Sequence, residues 1–168
     1  ANNFLATICG VNDFFASESE VTTLKRIIED NFHTETTVNR REFGDYQTNK
    51  SLAEACTLLT KNHTDYEFIL EPTCGKGNFI IAALTHIKTL TKLVGIEIYK
   101  PYVWTTKFNI LSFYLANPKR KVIDISIIHD DVFIFSFKDL SATTKNLKTL
   151  ILGNPPWITN AELGTLGS

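Results

Sequence analysis

Asn154-Pro155-Pro156-Trp157 follows directly on the apolar run Thr149-Leu150-Ile151-Leu152-Gly153. A short buried strand thus ends in an amide, two rigid prolines and an aromatic ring. Proline locks φ and has no N–H, so a Pro-Pro pair holds its carbonyl oxygens in fixed directions. An amide oxygen and a fixed carbonyl can together accept both hydrogens of a planar amino group. The ring of Trp157 offers a flat face on which a conjugated ring can stack. The chemistry suited to such a site is chemistry on an exocyclic amine.

Three further clusters carry chemical potential. Glu71-Pro72-Thr73-Cys74-Gly75-Lys76-Gly77-Asn78-Phe79 follows an apolar strand and opens a helix. Gly75 and Gly77 let the backbone turn tightly and approach a ligand. It is neither a dinucleotide fingerprint, since Ile80 stands where the third glycine would fall, nor a P-loop, since Lys76 lacks the following Ser or Thr. Glu71 at the strand tip repels phosphate and suits a cation. Glu97 ends the next strand and can accept both ribose hydroxyls of a nucleoside; the alternative is an acid stabilised by the dipole of the following helix. Asp130-Asp131 end a third strand, ahead of Val132 and Phe133. An acid there can accept from an adenine amino group, with Asp131 favoured by its spacing to Phe133, or it can be a solvated turn acid.

The elements that must position these groups alternate along the chain. Helices are expected over 17–32 (with Val21, Leu24, Ile27 and Ile28 on one face), 51–59, 79–90 and 102–115. Strands are expected over 66–70, 93–98, 122–128 and 147–152. Strands alternating with such helices predict an α/β fold with a mostly parallel sheet, its ligand edge at the strands' carboxyl ends. The stretch 33–49 reads as a polar loop containing Gly44. Residues 1–43 are expected to be an N-terminal helical extension, and 44–168 the first part of the main domain. The chain stops soon after the fourth strand, so the sheet is expected to be incomplete.

Composition narrows the classes. The 168 residues are 43% hydrophobic and 21% charged, with net charge -1, which is near-neutral for a nucleic-acid binder. Arg40-Arg41 and Lys119-Arg120-Lys121 read as solvated loop charges. The three cysteines, Cys9, Cys56 and Cys74, have no CxxC spacing, which predicts a reducing, cytoplasmic setting without disulfides or zinc. His33, His63, His86 and His129 have no ligand spacing, so no metal site is expected. No apolar run approaches the roughly 20 residues of a membrane span.

Together, the clusters describe a pocket for an adenosine whose other end is positively charged. S-adenosyl-L-methionine fits: ribose on Glu97, adenine near Asp131, the amino-acid end by Glu71 and the glycine turn. The order Gly44-Asp45-Tyr46-Gln47-Thr48, then Glu71-Pro-Thr-Cys-Gly-Lys-Gly, Glu97, Asp131 and Asn154-Pro-Pro-Trp resembles amino-directed DNA methyltransferases. More narrowly, it resembles the adenine-specific class whose cofactor motifs precede the catalytic motif, often fused to restriction enzymes. The resemblance covers about residues 40 to 160.

It implies a Rossmann-like methyltransferase fold, transfer of a methyl group to the adenine amine, and double-stranded DNA with a flipped-out base as partner. A restriction nuclease and a target-recognition region are implied as fused or associated parts, the latter beyond the end of this chain. Asn154, Pro155, Pro156 and Trp157 would be catalytic. Thr48 would bond the cofactor carboxylate, and Thr73, Ile98 and Val132 join Glu71, Gly75, Gly77, Glu97 and Asp131 in the cofactor site. The sequence departs from the family at Asn49, where a proline is usual, at Lys76, where a small residue is commoner, and at Glu71, where Asp is more frequent. The competing readings are a methyltransferase of ribosomal RNA or protein glutamine, which resemble the same Asn-Pro-Pro-aromatic pattern, and a non-catalytic cofactor-binding fragment.

Overall fold

The computed structural model describes residues 1–31, 47–61 and 65–155. Its strands are β1 (Phe68–Glu71), β2 (Lys92–Glu97), β3 (Asp124–His129) and β4 (Thr149–Ile151), and its helices α1 (Asn2–Cys9), α2 (Glu18–Asn31), α3 (Lys50–Lys61), α4 (Asn78–His86), α5 (Lys100–Ala116) and α6 (Lys138–Thr144). All strand pairs are parallel, in the order β3-β2-β1-β4. Phe68 stands level with Lys92 and Thr149, and Lys92 with Asp124, so the four carboxyl ends share one edge. The chain steps outward from β1 to β3 and then returns to the far side of β1. A reversal of this kind, here between β1 and β4, is where an open α/β sheet forms its ligand crevice.

Period-two alternation divides the buried residues between two faces. Phe68, Leu70, Val94 and Ile96 form one cluster, covered by Val132, Phe135, Leu147 and Leu140 of α6. The opposite face, which carries Gly95 and Ile127, meets Ile80 of α4 and lies under α5. Helices thus cover both faces, as the βαβ pattern predicted. The long helix α5 carries proline in its first turn, where the missing N–H has no intrahelical partner to lose. Helix α3 is capped by Asn49, whose side-chain oxygen accepts the Leu52 N–H at 2.8 Å. Asn49, where the resemblance leads to an expected proline, therefore has a structural task.

Two helices escaped the sequence reading, α1 and α6. Helix α4 stops at His86 rather than near residue 90, because Ile87 turns extended. Ile87 and Leu90 are nonetheless buried, so the apolar period continues past the helix into a packed connection. Strand β3 starts at Asp124, two residues later than expected, and Val122 is exposed.

The expected extension over 1–43 divides between two compact units, one comprising Ala1–Phe14 and Thr48–Asn154 and the other Phe15–Gln47 and Pro155–Ser168. In the first unit, α1 ends at Gly10 with φ 70, and a Cβ there would lie 1.9 Å from the Ile123 carbonyl oxygen. Val11 then bridges Ile125 along the outer edge of β3, with the Ile125 N–H donating to Gly10 at 2.9 Å and the Asn12 N–H to Ile125 at 2.8 Å. The buried Lys107 ammonium donates to the carbonyls of Asp13 (2.7 Å) and Phe14 (3.0 Å), and Phe14 meets Phe108 edge to face. In the second unit, α2 begins as the sequence suggests. Ser17 accepts the Glu20 N–H, and Glu20 reaches back to the Ala16 N–H, much as in a capping box. The side chains of Ile27 and Ile28 lie outside the described ones.

Candidate functional site

The glycine turn leaves β1 and enters α4 with Gly75 at φ 52 and Gly77 at φ 80, both left-handed. Its backbone is tied at several points. The Cys74 N–H donates to Ile96 of β2 and the Gly77 N–H to Cys74, each at 2.8 Å. Two residues of α5 clamp the carbonyls: the buried Thr106 hydroxyl donates to Gly75 (2.8 Å) and the Asn109 amide to Lys76 (2.9 Å). A Cβ on Gly77 would come within 2.8 Å of the Thr106 methyl. With its carbonyls anchored to the helix, the turn cannot swing without breaking bonds. Lys76 lies with its ammonium 5.2 Å from the Tyr102 ring centre, so α5 also holds the lysine that stands between the two glycines.

Two carboxylates flank the turn in different environments. Glu71, the last residue of β1, is 2% exposed, and its Oε2 has no hydrogen-bond partner among the described residues. Burial pushes its carboxyl well above the usual range, and the nearby Glu97 charge adds to this, against the pull of the Ile80 N–H. Glu97, the last residue of β2, is buried but well bonded. One oxygen accepts the Gly75 N–H and the other the Tyr99 N–H, both at 2.7 Å. The carboxylate therefore joins the glycine turn to the start of α5: its place at the helix start matches the alternative the sequence offered, and its bond to Gly75 was not foreseen. Between them, burial pushes the Cys74 thiol up, reinforced by the Glu71 and Glu97 charges, which disfavours its thiolate form.

Beyond β3 the chain turns at Asp130-Asp131. The Asp130 N–H donates to the Glu97 carbonyl at 3.1 Å, continuing the β2–β3 ladder past the strand. Asp131 Oδ1 accepts the Phe133 N–H at 2.9 Å, closing an Asx turn. Val132 packs onto the core cluster, Phe133 is 75% exposed and Ile98 is half exposed.

After β4, the Leu152 N–H donates to Leu70 at 3.1 Å, prolonging the pairing with β1. Gly153 then passes close to Glu71 and Pro72. The Thr73 hydroxyl donates to the Asn154 main-chain carbonyl at 3.2 Å. Asn78, the first residue of α4, donates through its amide to the Thr48 carbonyl at 2.7 Å and brings that residue to the helix start.

The first compact unit thus brings Thr48, Glu71, Thr73, Gly75, Gly77, Glu97, Asp131 and Asn154 to one edge of the sheet. Pro155 opens the second unit, and Pro156, Trp157 and the Gly44–Tyr46 segment lie outside the described residues. The sequence reading missed Asn78, Thr106 and Asn109. Asn78 directly follows the glycine turn, and Thr106 and Asn109 stand one turn apart on α5 beside Phe108 and Ile110. A polar pair at that spacing was the available signal.

Over 126 residues, 74% of this chain, the sequence is 35% identical to the Type II methyltransferase M.NspV of Nostoc sp.. The chain spans about a quarter of that relative's length. No family model matches the chain. The similarity and the parallel sheet with helices on both faces agree on a Rossmann-like methyltransferase fold. Among the described residues no helix is long and apolar enough to cross a membrane.

Proposed function

We propose that this chain is the cofactor-binding and catalytic-motif part of an S-adenosylmethionine-dependent DNA methyltransferase acting on the exocyclic amine of adenine. The observation that supports it most is the bond from Thr73 to Asn154. It ties the start of the Asn-Pro-Pro-Trp segment to the turn between Glu71 and Gly75, at the reversal of the sheet. A ligand lying across the strand tips would there have its reactive end beside the amide. The similarity to a type II methyltransferase supports the same reading.

The residues present fit the cofactor. An ammonium would satisfy the buried Oε2 of Glu71, which has no hydrogen-bond partner among the described residues. Glu97 at the tip of β2 would accept from ribose hydroxyls, and Asp131 after β3 from an adenine amino group. Gly77 offers a turn without a Cβ, and Thr48 sits by its helix. When bound, the cofactor supplies a sulfonium methyl group as electrophile.

The chain's own residues then act on the target amine. Its lone pair is delocalised into the ring, so the nitrogen is a poor nucleophile. The Asn154 side-chain oxygen and the Pro155 carbonyl accept its two N–H bonds and draw it toward tetrahedral geometry, which localises the lone pair. Preorganised groups of this type contribute roughly a hundredfold each in rate. Pro156 restrains the second acceptor, and the Trp157 ring receives the flipped base, offsetting part of the unstacking cost of a few kcal/mol.

The test is transfer of tritium from labelled cofactor to double-stranded DNA by the full-length protein, followed by nucleoside analysis. Label in N6-methyladenine, lost in Asn154→Ala with cofactor binding intact, supports the proposal. Label in cytosine, RNA or protein glutamine reassigns the substrate. Undiminished turnover by Asn154→Ala removes the mechanism.

A further inference from the structure

We infer that Thr73 is a positioning residue for the amine acceptors rather than a cofactor ligand, an inference that rests on the function proposed above. Its hydroxyl, half-buried at the foot of the glycine turn, donates to the main-chain carbonyl of Asn154, 81 residues away in sequence. That carbonyl belongs to the peptide plane joining Asn154 to Pro155. Holding it fixes the plane, and with it the direction in which the two acceptors leave the backbone.

The rest follows from covalent geometry. Asn154 precedes a proline, so its own backbone is confined to extended conformations. The Pro155 ring locks its φ, and because Pro156 follows, its ψ is restricted as well. Once the 154–155 plane is set, the Pro155 carbonyl has little freedom left. The hydroxyl of Thr73 is thus one anchor from which the orientation of both acceptors is inherited.

The other end of the lever is also fixed. Thr73 lies between Glu71, locked in β1, and Cys74, whose N–H is bonded to Ile96 of β2. Leu152, bonded to Leu70, holds the base of the β4 loop. Past Gly153, the Asn154 carbonyl is tied to the turn that follows β1. Without the hydroxyl, the segment beyond Leu152 loses this bond to the turn, while Glu97 and Gly77 keep theirs. The acceptors and the cofactor floor are therefore separable by one oxygen atom.

The experiment compares Thr73→Val, which keeps the shape and removes the hydroxyl, with Thr73→Ser, which restores it, in the full-length protein. Thr73→Val is expected to lower kcat about tenfold, the effect of one hydrogen bond, with the cofactor dissociation constant unchanged; Thr73→Ser recovers most of kcat. Amide exchange at Gly153 and Asn154, followed in the same variants without substrate, is expected to quicken in Thr73→Val alone. Unchanged kcat and exchange, or a tenfold weaker cofactor affinity at constant kcat, overturns the inference. A wild-type protein that transfers no methyl group defeats the proposed function instead, and the exchange measurement still decides whether Thr73 holds the loop.

Discussion

Gly77→Ala isolates the geometry on which the cofactor turn depends. At φ 80 an alanine occupies the left-handed region, at a cost of about 1–2 kcal/mol. The added Cβ would also lie 2.8 Å from the Thr106 methyl and 3.1 Å from its hydroxyl oxygen. Thr106 is fully buried and cannot rotate away without giving up its 2.8 Å bond to the Gly75 carbonyl. Relieving such an overlap costs about 1–3 kcal/mol. The combined loss of about 2–5 kcal/mol is a large share of a typical domain's 5–15 kcal/mol. Urea unfolding measures it as a lower midpoint at constant slope. Thr106→Ser deletes the offending methyl and keeps the hydroxyl, so Gly77→Ala/Thr106→Ser should recover about 1 kcal/mol beyond additivity. A loss below about 1 kcal/mol, or strict additivity in the double variant, would refute the packing argument.

Two further variants separate the carboxylates. Burial raises the Glu71 carboxyl well above its unfolded value, so it costs nothing below the unfolded carboxylate pKa of about 4.3, where both states carry the proton. As pH rises above that, the unfolded chain ionises first, and stability falls by up to about 1.4 kcal/mol per pH unit until the folded carboxyl titrates. Glu71→Gln should therefore flatten the decline in thermal stability as pH rises above about 5; equal slopes in variant and wild type would rule this out. Glu97→Ala leaves the Gly75 and Tyr99 N–H groups without their acceptors and should cost about 2–4 kcal/mol in urea unfolding. Calorimetry should also find cofactor affinity lowered far more than DNA affinity; unchanged cofactor affinity would leave Glu97 as a bridge only.

What the sequence determined by itself was the local and the periodic. Alternating apolar strands and helices specify a parallel α/β sheet, because side-chain period and chain direction are local properties. The acids at 71, 97 and 130–131 could be placed at strand tips for the same reason. Helix α1 was not legible, since its place follows from the bridge of Val11 to Ile125 and from Lys107, more than 90 residues distant. The same holds for Glu97, whose ribose role could be surmised from spacing but whose grip on Gly75 spans 22 residues. Thr48, Thr73 and Asn154 were read from motifs as separate pieces. Only the fold could bring Asn78 to Thr48 and Thr73 to Asn154, because a hydrogen bond depends on ångströms that residue types do not encode.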